Sequence, residues 1–292
     1  MAEYYGTAWY RRTFDVPADW RTFAVRVEFE AIFHTAAVWI NGQMAGEHQG
    51  KGYTAFTFDV THLLRWGETN AIAVRVDNAF NEHMLPRGRS SDWAHDGGIF
   101  RPVQLLITPK VFVERVDVEA TPNLTDGEAT IAITGYIRNT SRKDWSDRAS
   151  YRIVDEASGL TVLTGSAGRG PSIKPGTTQT QTMQVVLTKA KLWHFDHPNL
   201  YRLEFSITGA RESHCFPTIF GIRKLEAKDG AFHLKRRARA SDGRGTHGGE
   251  QPGIRNGRTG GLDPARPCGH EAPQLHLHAC PLAPGQTCSR LL

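Results

Sequence analysis

Six side chains of zinc-ligand type crowd the C-terminal end of this chain: Cys268, His270, His276, His278, Cys280 and Cys288. Thiolates and imidazoles hold tetrahedral zinc, but compact zinc sites draw on close pairs such as Cys-x-x-Cys. The segment has no such pair, and His-x-His followed by x-Cys matches no compact finger. The spacing therefore argues against metal chemistry that the residue types alone would allow. A second set is aromatic. Trp9, Trp39, Tyr53, Phe56 and Phe100 could form a platform on which a sugar ring stacks. Each lies in or beside an alternating segment, where aromatics serve strand packing. Core or inter-sheet packing is the stronger reading for them, and a structural role the stronger one for Arg11, Arg75 and Arg101. A third set is carboxyl: Glu82 in Asn81-Glu82, and Asp92 in Arg89-Ser-Ser-Asp-Trp93.

The elements that must position these groups are strands. From residue 7 to 222 the dominant hydrophobic period is two, as in Phe23-Ala-Val-Arg-Val-Glu-Phe29 and Asn70-Ala-Ile-Ala-Val-Arg-Val-Asp77. Ala36-Ala-Val-Trp-Ile40 runs into Asn41-Gly42, a strong short hairpin signal because both turn residues need positive φ. Further strands are expected at Val111–Glu119, Ala129–Ile137, Ser150–Asp155, Thr182–Leu187 and Leu200–Thr208. No long segment keeps a 3.6-residue period. A boundary is expected near Pro109, with a seven-strand immunoglobulin-like sandwich after it. The fold class is all-β, two sandwiches in series followed by a disordered tail.

The formal net charge of +5 comes from one place. From Lys235 to Leu292 there are eight Arg and one Lys against two Asp and two Glu, so the first 234 residues balance at 26 basic and 26 acidic. That part offers no electrostatic reason to seek nucleic acid or a membrane, and no apolar run approaches the roughly 20 residues of a span. All 28 aromatic residues also precede Lys235. Three of the four cysteines follow it, which leaves Cys215 and no disulfide framework for the sandwiches.

Several segments carry a resemblance. Gly6-Thr-Ala-Trp-Tyr-Arg-Arg-Thr-Phe14 is followed by Val16-Pro17. Ala37-Val-Trp-Ile-Asn-Gly42 is followed by Gly46, Gly52-Tyr-Thr-Ala-Phe56 and Asp59-Val-Thr61. Val74-Arg-Val-Asp-Asn78 and Gly97-Gly-Ile-Phe-Arg101 come next, then Leu192-Trp193, His197-Pro-Asn-Leu-Tyr201 and Phe220-Gly-Ile-Arg223. In order and spacing they resemble glycoside hydrolase family 2, the family of β-galactosidases, β-glucuronidases and β-mannosidases. The resemblance implies a galactose-binding-like jelly-roll domain over 1–109, an immunoglobulin-like sandwich over 110–222, and a lead-in strand over 223–234. In the family a catalytic (β/α)₈ barrel follows and supplies the acid/base and nucleophile carboxyls of a retaining glycosidase. This chain shows no barrel pattern, so no catalytic residue is carried over. Asn81-Glu82 matches the dipeptide of the family's acid/base but follows a jelly-roll strand, and is read as a solvated loop pair. Asp92 stands six residues before Gly98, where the family has an aspartate that hydrogen-bonds a sugar hydroxyl in the barrel's pocket. Charge-assisted acceptance from hydroxyls suits a carboxylate, and the role requires a barrel. Trp93 is the second candidate substrate contact.

Residues 235–292 admit three readings: the metal site already weighed, a basic disordered tail that binds nucleic acid, or a shifted reading frame. Arg without interleaved aromatics lacks the stacking platform of a single-strand binder. Read from the second base of each codon, Lys235 to Gly245 permit Asn-Gly-Glu-Arg-Val-Arg-Leu-Met-Gly-Val, which fits the turn the family places after its lead-in strand. The shifted frame is the reading favoured here. The N-terminus is likewise expected to be cut, since Met1 opens almost on the Trp9 strand, and the compartment stays open. The expected function is the non-catalytic N-terminal part of a family 2 glycosidase that meets a β-glycoside through the intact enzyme. It requires no cofactor, metal, nucleic acid or membrane, and its oligomeric state is open. The alternatives are a free-standing carbohydrate-binding module and a β-sandwich interaction protein with a basic tail.

Overall fold

In the computed structural model, residues 5–82, 84, 97–146, 148–170, 172–209, 213–228, 231–234, 237–239 and 278–280 are described. They form strands and no α-helix, in two compact units that divide between Thr108 and Pro109.

The first unit holds β1 (Thr7–Asp15), β2 (Ala24–Phe29), β3 (Thr35–Ile40), β4 (Gln43–His48), β5 (Phe56–Asp59), β6 (Thr69–Asp77) and β7 (Val103–Thr108). The second begins with β8 (Val111–Pro122), β9 (Ala129–Asn139), β10 (Arg148–Asp155) and β11 (Thr161–Arg169). It continues with β12 (Thr178–Leu187), β13 (Tyr201–Thr208) and β14 (Ser213–Phe220). The short strands β15 (Leu225–Lys228), β16 (Ala231–Leu234) and β17 (Arg237–Arg239) follow, and β18 (His278–Cys280) joins the first unit.

In the first unit a five-stranded sheet, β18-β1-β6-β3-β4, packs on a three-stranded one, β5-β2-β7. The core between them takes Val25, Val27 and Phe29 from β2, Val38 and Ile40 from β3, and Ile72, Val74 and Val76 from β6. These are alternate residues, as a sheet with one buried face requires. The Asn41-Gly42 turn forms as the sequence predicts, with φ of 53° and 81°. Asn41 does more than turn. Its Nδ2 donates to Asn70 Oδ1 (2.7 Å) and to the Leu63 carbonyl (2.9 Å), while its Oδ1 accepts from Ala71 N (3.0 Å). Asn70, 1% exposed, accepts from Arg65 N (2.8 Å) and donates to the carbonyls of Arg65 (2.8 Å) and Glu68 (2.9 Å). These bonds satisfy the loop before β6 without water.

In the second unit, sheets β12-β9-β8 and β11-β10-β13-β14 enclose a separate core. Strand β9 alternates buried and half-buried over its whole length. Gly135 sits where a Cβ would run into the Phe205 ring, so the sheets close up there. The seven-strand sandwich expected from the sequence is present. Two of its strands, β11 and β14, were not among the expected ones. Gly165 and Gly168 weaken the β signal of β11, and Pro217 interrupts that of β14; both are edge strands, where such residues are tolerated. Cys215 on β14, the one cysteine before Lys235, is disulfide-bonded.

Candidate functional site

The loop that follows β6 carries both candidate substrate contacts. Asp92 and Trp93 lie outside the described residues, but its two stems, residues 78–82 and 97–101, are described. Both stems are tied to one dipeptide, Phe33-His34, whose peptide bond is cis. On the first stem, His34 N donates to the Asp77 carbonyl (3.3 Å), and the buried His34 ring meets the Ala79 carbonyl through Nε2 (2.9 Å). A carbonyl only accepts, so Nε2 carries a proton, and Nδ1 lies 2.9 Å from Thr35 Oγ1. On the second stem, Phe33 N donates to the Gly98 carbonyl (3.0 Å) and Gly98 N to the Phe33 carbonyl (3.3 Å).

The Gly-Gly pair follows from this crowding. Gly98 has φ of 78°, and a Cβ there would overlap the Tyr10 hydroxyl. A Cβ on Gly97 would stand 2.7 Å from Asn78 Nδ2. Asn78 is itself 8% exposed and accepts from Gly6 N through Oδ1 (2.8 Å). Arg101 lies over the Phe100 ring (5.5 Å) and donates to the Tyr53 carbonyl (3.4 Å). Asn81 and Glu82, at the far end of the first stem, are exposed; Asn81 N points to Met84 Sδ (3.3 Å). The sequence reading missed His34 and Met84. A lone histidine after Ala31-Ile-Phe33 is the available signal, and it reads as a satisfied core histidine.

The aromatic candidates separate by face. Phe56 stacks on Phe29 (5.1 Å) and borders the core. Tyr53 and Phe100 meet edge to face at 5.8 Å, with Tyr53 39% exposed. Trp9 and Trp39 differ from the packing expectation. Their strand neighbours Tyr10, Val38 and Ile40 face the core, so both indoles stand on the outward face of the five-stranded sheet. Their centroids are 5.2 Å apart.

Among the described residues no cluster of three metal-ligating side chains occurs. A cavity of about 10 Å³ lined by Ile137, Trp145 and Ile173 has room for one water and none for a sugar ring. Among the described residues the carboxyl most shifted in pKa is Asp155, lowered to about 2 by Lys191 Nζ (2.8 Å) and by the Ser158 amide and hydroxyl (2.9 Å each). Ionised at every ordinary pH, it cannot serve as a general acid.

The family model for the sugar binding domain of glycosyl hydrolases family 2 matches residues 1–109, and a second model of that family matches residues 111–223. The β-galactosidase of Thermoanaerobacter pseudethanolicus is 31% identical over 240 residues, which are 80% of this chain and 30% of that protein. The β-glucuronidase of Bacteroides fragilis is 27% identical over 206 residues, 68% of this chain and 28% of that protein. The crystal structure of a Bacteroides uniformis β-glucuronidase superposes with a TM-score of 0.72 at 26% identity, over 80% of this chain and 28% of that one. The chain thus spans less than a third of the length of these relatives.

Proposed function

This chain belongs to glycosyl hydrolases family 2, and from that premise we propose that its two sandwiches are the non-catalytic part of a retaining β-glycosidase. The first sandwich presents the loop bearing Asp92 to the sugar held by a catalytic barrel, and Asp92 accepts hydrogen bonds from a sugar hydroxyl there. Trp93 lines the same approach. Retention needs an acid/base and a nucleophile carboxyl about 5 Å apart, and neither is assigned to a residue of this chain. The observation that carries the reading is the clamp at Phe33-His34. Both stems are tied to one buried dipeptide, which fixes where the intervening segment leaves and rejoins the sandwich and supports a positioning role.

The test is turnover of aryl β-galactosides, β-glucuronides and β-mannosides by the purified 292-residue chain. No hydrolysis is expected. Clear turnover that Asp92→Ala abolishes would overturn the claim that catalysis needs a barrel outside these sandwiches.

A further inference from the structure

One apolar face of this chain stands open to solvent. Strands β15 and β16 pair Leu225 with Leu234 and Ala227 with Phe232, so these four residues share one side of the hairpin, and Glu226 and His233 share the other. The polar side is closed locally, with Lys224 Nζ 2.7 Å from Glu226 Oε1. On the apolar side Leu234 is buried, but Leu225 is 61% exposed and Phe232 58%. The root of the hairpin is fixed. Ile222, three residues before Leu225, lies fully buried in the second core, and its carbonyl accepts from Trp193 N (2.8 Å). The Arg223 guanidinium lies over the Trp193 ring (5.3 Å). Small sheets gain stability by burying an apolar side against another layer. Here the two largest side chains of that side keep more than half of their surface in water.

The place of the hairpin in the chain points to its occupant. The second family model ends at residue 223, so β15 and β16 lie beyond both matched domains. More than two thirds of the length of the relatives lies outside the part this chain covers. We propose that the apolar side of the β15–β16 hairpin is the surface on which the catalytic barrel of the intact enzyme seats, with Leu225 and Phe232 as its anchors. This rests on the reading of the two sandwiches as the non-catalytic part of a β-glycosidase. The area argues for a tethered occupant. A free partner needs about 800 Å² from each side. A phenylalanine covers about 150–250 Å², so one phenylalanine, one leucine and an alanine fall short of it. A module joined to the hairpin in the same polypeptide is held at a millimolar effective concentration and docks on less. An ionic partner would call for charge on this side, and its four residues from β15 and β16 are all apolar.

The test compares the 292-residue chain with a chimera that joins residues 1–234 to the part of the Thermoanaerobacter pseudethanolicus β-galactosidase that this chain does not cover. Carbene footprinting read by mass spectrometry reports the exposure of single side chains. Leu160, 67% exposed in the β10–β11 turn, is the reference. In the 292-residue chain Leu225 and Phe232 should label about as strongly as Leu160. In the chimera their labelling should fall by about fivefold or more, to the level of core residues, with Leu160 unchanged. Leu225→Ser and Phe232→Ser should leave the melting of the 292-residue chain within about 2 °C of the parent and lower that of the chimera. Undiminished labelling in a chimera that hydrolyses an aryl β-galactoside would overturn the proposal and leave the family-based reading standing. Undiminished labelling without hydrolysis counts against both. Serine variants that melt early in the 292-residue chain would show that the face is already covered within it. Labelling that falls as that chain is concentrated would assign the face to a second copy. Either result overturns the proposal.

Discussion

Replacing Asn70 with alanine tests whether polar closure or packing holds the first sandwich shut. The side chain is 1% exposed and makes four hydrogen bonds, with Arg65 N, Asn41 Nδ2 and the carbonyls of Arg65 and Glu68. A buried hydrogen bond is worth about 1 kcal/mol net, and stranding its partner costs about 1–3 kcal/mol. Residues 65 and 68 are exposed at the surface, so water can rescue part of the loss. The expected cost is about 3 kcal/mol, equal to a fall in Tm of roughly 10–20 °C for a domain of this size. The assay is urea and thermal unfolding of the full chain, followed by Trp fluorescence and far-UV circular dichroism. With two cores, two transitions are expected, and only the one assigned to the first unit should move. Asn70→Asp makes the test decisive. It keeps the volume but sets an oxygen where Nδ2 donates, against carbonyls 2.8 and 2.9 Å away. If hydrogen bonding governs, Asp is at least as damaging as Ala. An Asp variant that melts like the parent, or an Ala variant within about 0.5 kcal/mol of it, would refute the reasoning.

Other outcomes are equally specific. Gly98→Ala should destabilise the first unit by about 2 kcal/mol or more through its positive φ and the Tyr10 clash; adding Tyr10→Phe should recover part of that in a melting experiment, and no recovery would point away from the hydroxyl. The carboxyl of Asp155 is held below its ordinary value, so its contribution is complete above about pH 3.8 and is lost as pH falls towards about 2. With solvent screening of the exposed Lys191, that amounts to on the order of 1–2 kcal/mol, and Asp155→Asn should flatten the stability of the second unit across that window. Sequencing the coding DNA across Leu234 is expected to reveal one extra base, or two missing, relative to an open frame that continues downstream; a single uninterrupted frame would count against a shifted tail.

Much of this fold could be read before any coordinates. Alternation over Asn70–Asp77 marked β6 and its buried face, and Asn41-Gly42 marked the β3–β4 hairpin. Both are local signals, complete within a few residues. What stayed hidden was non-local. The bond from Asn41 to Asn70 joins residues 29 apart, and the Phe33-His34 clamp joins segments more than 40 residues apart, so no spacing rule reaches them. The outward placement of Trp9 and Trp39 was legible in principle, since each alternates with core-facing neighbours; aromatic type outweighed parity in that reading. Asp92 and Trp93 rest on sequence resemblance, and the clamp is what the structure adds beside them.

The two hydrophobic cores share no residue, and the chain passes from β7 to β8 through Pro109 and Lys110. Damage therefore does not average over the chain. A substitution that empties one core lowers the unfolding barrier of that half and leaves the other's intact, so turnover in a cell follows the weaker half. Selection on abundance acts on two half-lives within one polypeptide, and a stabilising change in the sturdier sandwich is invisible to it until the weaker one has been repaired.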